Sequence, residues 1–230
     1  MVDYAVRVHD VSKVYRSGDI EVNALRNVSF ALKRGEFAAV VGPSGSGKSS
    51  LMHILGTIDK PTSGEVYIDG VPTAKMDGNE LAEFRNSRLG FVFQFYNLVN
   101  GLDSQTNVAL PLFARGIQAS RRNKLAEDLL RRLGLAGSLR LKPTQLSGGQ
   151  QQRVAVARAL IGDPTLILAD EPTGSLDSKS GDEVMALFKE VSVERGVTTV
   201  IVTHNLDITK RCGRILHIKD GRLEKEEVRK

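Results

Sequence analysis

Gly42-Pro43-Ser44-Gly45-Ser46-Gly47-Lys48-Ser49 stands between a short apolar run, residues 37–41, and a segment in which Leu51, Ile54, Leu55 and Ile58 recur at the i, i+3, i+4, i+7 spacing of one helix face. The eight residues fit the pattern G-x-x-x-x-G-K-[ST] in the setting it requires, a strand before and a helix after. Glycines let successive backbone N–H groups turn inward around a phosphate, and the helix N-terminus adds the positive end of its dipole. Lys48 is placed to reach the outer phosphates of a nucleotide, and the Ser49 hydroxyl to ligate Mg²⁺. The helix is expected to run on until Pro61 stops it.

The flanking chain supplies the rest of the fold. Residues 4–9 and 22–32 alternate as strands before the turn Lys33-Arg34-Gly35-Glu36. Residues 65–68 and Val71 flank Asp69-Gly70, a tight-hairpin signal. Residues 90–94 predict another short strand, followed by a loop over 95–106. From about 107 to 161 the pattern is helical, with Leu125, Leu129, Leu130 and Leu133 as one stripe ended by Gly134, and a second helix over 149–160. Residues 165–169 predict a buried strand ending in Asp170-Glu171-Pro172. Val184, Leu187, Phe188 and Val191 mark a helix ending near Gly196, and residues 198–202 a third buried strand ending in His204. Residues 215–218, Asp220-Gly221 and Leu223 close the chain as a hairpin. This alternation predicts an α/β core with a parallel sheet, an antiparallel layer on the N-terminal side and a helical insertion.

Composition narrows the function classes. With 41% hydrophobic and 26% charged residues in 230, the chain reads as a soluble globular protein. No apolar run approaches the roughly 18 residues of a membrane span, and Asp3, Arg7, His9 and Asp10 interrupt the start too early for a secretory leader. Cys212 is the sole cysteine, which excludes an intrachain disulfide and any multi-cysteine metal site. A cytosolic chain is expected. The net charge of +5 is spread among 27 acidic residues, aromatics are only 5%, and there is no tryptophan. Basic stretches without stacking residues argue against a nucleic-acid partner.

Asp170 closes an apolar strand, so its carboxylate emerges at the carboxyl edge of a parallel sheet, where ligands bind. There it can hold Mg²⁺ through water, while Glu171, pointing elsewhere, can polarise an attacking water. Leu146-Ser147-Gly148-Gly149-Gln150 opens the helix over 150–160 and is a second anion site at a helix N-terminus. Two phosphate-reading elements are one too many for a single ATP. Each could complete the site of a neighbouring subunit, head to tail.

Together these residues resemble an ABC-type ATPase subunit, the nucleotide-binding domain of an ATP-binding cassette transporter, over nearly the whole chain. The resemblance implies a P-loop NTPase fold with a RecA-like parallel-sheet core. Residues 1–94 and 162–230 would form that core with the antiparallel β subdomain, and residues 95–161 the helical subdomain that carries the signature. Gly42, Pro43, Ser44, Gly45, Ser46, Gly47, Lys48, Ser49 and Ser50 would bind phosphate as Walker A, and residues 166–170 match Walker B. Glu171 matches the catalytic base, Gln94 the Q-loop that senses Mg²⁺ and water, and His204 the switch histidine on the γ-phosphate. Ser147, Gly148, Gly149 and Gln150 match the signature, Asp177 lies in the D-loop, and Tyr15 stands where the family stacks an aromatic on adenine. Ser49, Gln94 and Asp170 would serve Mg²⁺. Each also has a simpler alternative: Tyr15 as a strand-face filler, Gln94 as a polar strand end, His204 as a core histidine, Asp177 as a turn residue. His9, His53, His217 and Cys212 read as ordinary packing or surface positions.

The family further implies an ATP-bound homodimer with two sandwiched nucleotides, an integral membrane permease as partner, and a place at the cytoplasmic face of the cell membrane. Asp59-Lys60-Pro61-Thr62-Ser63-Gly64 and Glu171-Pro172-Thr173-Gly174 resemble the lipoprotein-release, macrolide-export and cell-division subfamily. Asn100 and Thr106 depart from its pattern in the loop after Gln94. The alternatives are an importer subunit, a soluble cassette of DNA repair, chromosome structure or translation, and a regulator that binds nucleotide without hydrolysis. The short spacing from Lys48 to Ser147 leaves no room for the coiled coil of the repair type, and Glu171 with His204 argues against a non-hydrolysing regulator.

Overall fold

The computed structural model describes residues 3–229. A long hairpin comes first, β1 (Tyr4–Ser17) and β2 (Ile20–Lys33), followed by β3 (Phe37–Val41) and α1 (Lys48–Leu55). Next are β4 (Ser63–Ile68), β5 (Val71–Pro72), α2 (Gly78–Arg88) and β6 (Leu89–Phe93). Three helices succeed them, α3 (Ser104–Ala114), α4 (Ala119–Arg132) and α5 (Gly148–Leu160). The chain closes with β7 (Leu166–Asp170), α6 (Ser178–Glu194), β8 (Thr198–Val202), α7 (Leu206–Thr209), β9 (Arg214–Lys219) and β10 (Arg222–Val228).

The strands form two sheets. One is antiparallel, in the order β2-β1-β4-β5. The other runs β10-β9-β3-β8-β7-β6, parallel throughout except for the antiparallel edge strand β10. Every residue of β3 and β8 is buried, as a sheet covered on both faces requires. The two-residue period of a strand sorts these side chains. Ala39, Val41, Ile167, Ala169 and Ile201 join the helical side with α3 to α6. Ala38, Val40, Leu168, Val200 and Val202 join α1 and the antiparallel sheet on the other. The α/β class with its antiparallel layer is therefore as the sequence predicts.

Several expectations need correction. The first helix stops at Leu55, with Gly56 at its C-cap and Thr57 at a φ of 52°, so Pro61 plays no part in ending it. Ile58 lies beyond the helix and is 55% exposed instead of continuing its apolar face. Leu125 is likewise exposed, and the buried stripe of α4 is Ala126, Leu129 and Leu130, with Leu133 just past its end. β1 reaches Ser17 and β2 starts at Ile20, a longer hairpin than the alternation suggests. Helix α2 has no counterpart in the sequence reading. Both Asp-Gly hairpins form as expected, with positive φ at Asp69, Gly70, Asp220 and Gly221. Among the described residues no helix is long and apolar enough to cross a membrane.

Candidate active site

The strand register of the larger sheet decides what meets at its carboxyl edge. Phe93 pairs with Asp170, Asp170 with Val202, and Val40 with Val202. Gln94, Glu171, Thr203 and the loop after Val41 therefore leave four adjacent strands at one level. Sequence distances of more than a hundred residues collapse into a single edge.

The loop between β3 and α1 is wound tightly. The Lys48 ammonium donates to the carbonyls of Gly42 (2.9 Å) and Pro43 (2.8 Å), which holds the side chain across the loop. Gly47 closes it at a φ of 105°, with its α-carbon against the Ala24 carbonyl of β2. The first intrahelical bond runs from the Leu51 N–H to the Gly47 carbonyl at 2.9 Å, so the N–H groups of Lys48, Ser49 and Ser50 are left to other acceptors. No acidic residue or side-chain cap occupies that end of α1. Ser46 Oγ is buried with no hydrogen-bond partner. A loop of free donors at a helix N-terminus, with a lysine folded over it, suits a polyphosphate.

Glu171 sits at a φ of 44° immediately after β7. Its Oε2 accepts from the Thr203 hydroxyl at 2.9 Å, and its Oε1 accepts from the His204 N–H at 2.9 Å and lies 2.6 Å from His204 Nδ1. Three contacts from the end of β8 thus fix one carboxylate. Thr203 escapes the sequence reading, although a hydroxyl between the apolar strand 198–202 and His204 is a visible signal. Burial and the neighbouring Glu171 push the Asp170 carboxyl above its ordinary range, against the opposing pull of His53 and Lys48. A half-buried carboxylate beside a second one suits a hard cation, which also accepts neutral oxygens of the kind Ser49 and Gln94 carry. Gln94 packs its side-chain amide against Gly174, and its backbone carbonyl accepts from the Ser175 hydroxyl at 2.7 Å.

The residues 147–150 have a local explanation as well. Ser147 caps α5 by accepting from the Gln150 N–H at 3.3 Å, and Gln150 Oε1 accepts the Ser147 N–H at 2.9 Å. Asp177 caps α6 in the same manner, accepting from the Ser180 N–H at 3.0 Å, and hydrogen bonds from Ser180 hold its carboxyl below the usual range. The hollow beside Ser147, Gly149 and Gln150 is lined by Gly134, Leu135, Arg153, Ser180 and Glu183, with no residue of the 42–49 loop. Tyr15 lies near the end of β1, 39% exposed, and its hydroxyl donates to Asp59 Oδ2 at 2.9 Å. The chain thus assembles Lys48, Asp170, Glu171 and His204 at one edge, while the hollow beside the 147–150 turn is bordered by other residues.

The ABC transporter family model matches residues 25–174. The chain is 50% identical to an "uncharacterized ABC transporter ATP-binding protein" of Thermotoga maritima, across 96% of this chain and 94% of that protein. It is 46% identical to the macrolide export ATP-binding/permease protein MacB of Vibrio parahaemolyticus, but its match, 97% of this chain, spans only 34% of that longer protein. Among solved structures it resembles a dimeric post-hydrolysis state of the ATP-binding cassette MJ0796 bound to ADP and Pi. The TM-score is 0.89 and the identity 45%, over 98% of this chain and 99% of the other.

Proposed function

Because the chain belongs to the ABC transporter family, we propose that it is the ATP-hydrolysing motor subunit of a transporter, working as a head-to-tail dimer on a separate membrane permease. The observation that carries this reading is Glu171, fixed by Thr203 and His204 beside the half-buried Asp170 at the sheet edge that also bears the Lys48 loop. In the proposed reaction the 42–50 loop and Lys48 bind the phosphates of ATP. Ser49, Gln94 and Asp170 would hold Mg²⁺, which when bound neutralises charge on the phosphate oxygens. Glu171 takes a proton from water as that water attacks the γ-phosphorus and ADP leaves, and His204 contacts the phosphoryl group being transferred. The hollow beside the Ser147 turn has no residue of its own chain's loop in its lining, which supports use of the turn on the nucleotide of a second subunit. Asp177 would relay between the two subunits, and Tyr15 would stack on adenine.

A membrane partner is supported by a groove of about 410 Å³ between α2, β6, α3 and α5, flanked by the exposed Phe95 and lined by Phe91, Phe93 and Arg115. The fused permease of the MacB relative favours an export or release system, at the cytoplasmic face of the membrane. The test is tagged Glu171→Gln, which keeps nucleotide binding and loses water activation. It should dimerise with ATP by light scattering and carry a few-span membrane protein through purification from native membranes. A monomer at saturating ATP overturns the sandwich, and recovery of soluble partners alone overturns the transport role.

A further inference from the structure

We propose that Lys13 and Asp59 form a clamp that fixes the Tyr15 ring in its base-stacking orientation, making both of them positioning residues for recognition of the adenine base. The proposal rests on the reading of Tyr15 as the adenine platform.

Two contacts hold the Tyr15 ring, and three more hold the groups that make them. Lys13 Nζ stands over the Tyr15 ring, 4.7 Å from its centroid. The same ammonium donates to Asp59 Oδ1 at 2.7 Å and to the Lys60 carbonyl at 2.9 Å. The Tyr15 hydroxyl donates to the other carboxylate oxygen, Asp59 Oδ2, at 2.9 Å. Asp59 Oδ1 also accepts the Lys60 N–H at 2.7 Å, which orients the carboxylate from its own backbone. One carboxylate thus holds the ring by its hydroxyl edge and holds the cation that covers one ring face.

The pair is shielded enough to matter. The Lys13 side chain is only 12% exposed and Asp59 30%, whereas ion pairs in full solvent contribute little. Burial opposes ionisation of Asp59, but the bonds from Lys13 and Tyr15 outweigh it and hold the carboxyl below the usual range. A merely structural role for the cluster is already filled nearby. The strand is tied to the 59–62 segment by Thr62 N–H to the Ser12 carbonyl at 2.8 Å and by Val14 N–H to Thr62 Oγ1 at 3.0 Å. Lys13 and Asp59 add a further tie between the strand and residues 59–60, and theirs is the part of the attachment that also grips the ring.

Two consequences favour base binding. With Lys13 on one face, a flat ligand is directed to the other face of Tyr15. The cation also draws π-electron density toward itself, and an electron-depleted ring stacks better on an electron-rich purine. Asp59 accepts nothing from α1 itself but follows it closely, its N–H bonded to the His53 carbonyl at 3.2 Å. The base platform is therefore referenced to the helix that begins at the phosphate loop.

Equilibrium binding of ATP and of inorganic tripolyphosphate, which has no base, separates the possibilities. Asp59→Asn preserves shape and is expected to weaken ATP about three- to tenfold, the size of a favourable aromatic contact, with tripolyphosphate changed by less than about twofold. In a Tyr15→Ala background Asp59→Asn should have no further effect on ATP. Lys13→Met, which keeps the stem and removes the charge, should show the same selective loss and serves if Asp59→Asn misfolds in a thermal melt. Equal losses for both ligands overturn the proposal, as does unchanged ATP affinity in both clamp variants while Tyr15→Ala weakens it. If Tyr15→Ala leaves ATP affinity intact, the stacking reading itself fails and the clamp with it.

Discussion

Gly47→Ala should destabilise the protein far more than Gly45→Ala, although both glycines lie in the same loop with positive φ. At Gly45 the φ is 75° and an added Cβ meets nothing within 4 Å, so only the backbone cost applies, about 1–2 kcal/mol. At Gly47 the φ is 105°, and the Cβ would fall 2.3 Å from the Ala24 carbonyl oxygen and 3.0 Å from Leu25 Cδ2. Neither neighbour can retreat easily. Leu25 is wholly buried, and β2 is pinned at this point by the Arg26 N–H bond to the Gly221 carbonyl at 2.7 Å. Relieving that contact adds an overpacking cost of about 1–3 kcal/mol. The expected total is about 2–5 kcal/mol, a large share of the roughly 5–15 kcal/mol that holds a typical domain together. The assay is thermal and urea unfolding without nucleotide, where about 2–4 °C of Tm corresponds to each kcal/mol at this size. Gly47→Ala should lower Tm by about 4–20 °C and Gly45→Ala by about 2–8 °C. Equal shifts would refute the argument that the loop is seated directly on β2.

Two further outcomes follow from groups withdrawn from solvent. Burial pushes the Cys212 thiol up to about 11, so at pH 8 only on the order of one in a thousand is thiolate, and the native protein should resist a thiol reagent that labels it fully in urea. Asp170, whose folded pKa is raised by burial and Glu171, holds its proton longer folded than unfolded; folding is therefore penalised as pH rises above the ordinary aspartate range of about 4. Asp170→Asn should raise Tm at pH 7 in calorimetry without nucleotide, with the gain vanishing below about pH 4; a lowered Tm at pH 7 would contradict it.

Local chemistry made the phosphate loop readable, because strand, glycines, lysine and helix are contiguous from 37 to 55. The strands 166–170 and 198–202 were readable for a similar reason, since burial leaves short runs of apolar or β-branched residues. Helix α2 was not, because it buries only Leu81 and Phe84 and shows no sustained stripe. Its one signal was the capping box, in which Asp77 accepts from the Asn79 and Glu80 N–H groups while Glu80 answers to Asp77. Ile58 and Leu125 misled because periodicity continues past the point where Gly56 ends one helix and where the packed face of another begins. The Lys13–Asp59–Tyr15 contacts and the hold of Thr203 on Glu171 join residues far apart in the chain. Such pairings depend on which strands become neighbours, and no local pattern states that order.

The seat of the phosphate loop is finished by the far end of the chain. The Ser46 carbonyl accepts from the Gly221 N–H at 3.0 Å, and the same turn fixes β2 beneath Gly47. During synthesis the loop residues therefore leave the ribosome long before their support exists. At about 5–20 residues per second the delay is on the order of 10–30 s. A nascent chain in that interval carries every letter of the phosphate-binding pattern without the turn that holds it in shape. The loop thus gains its support only once the turn at residue 221 has been made.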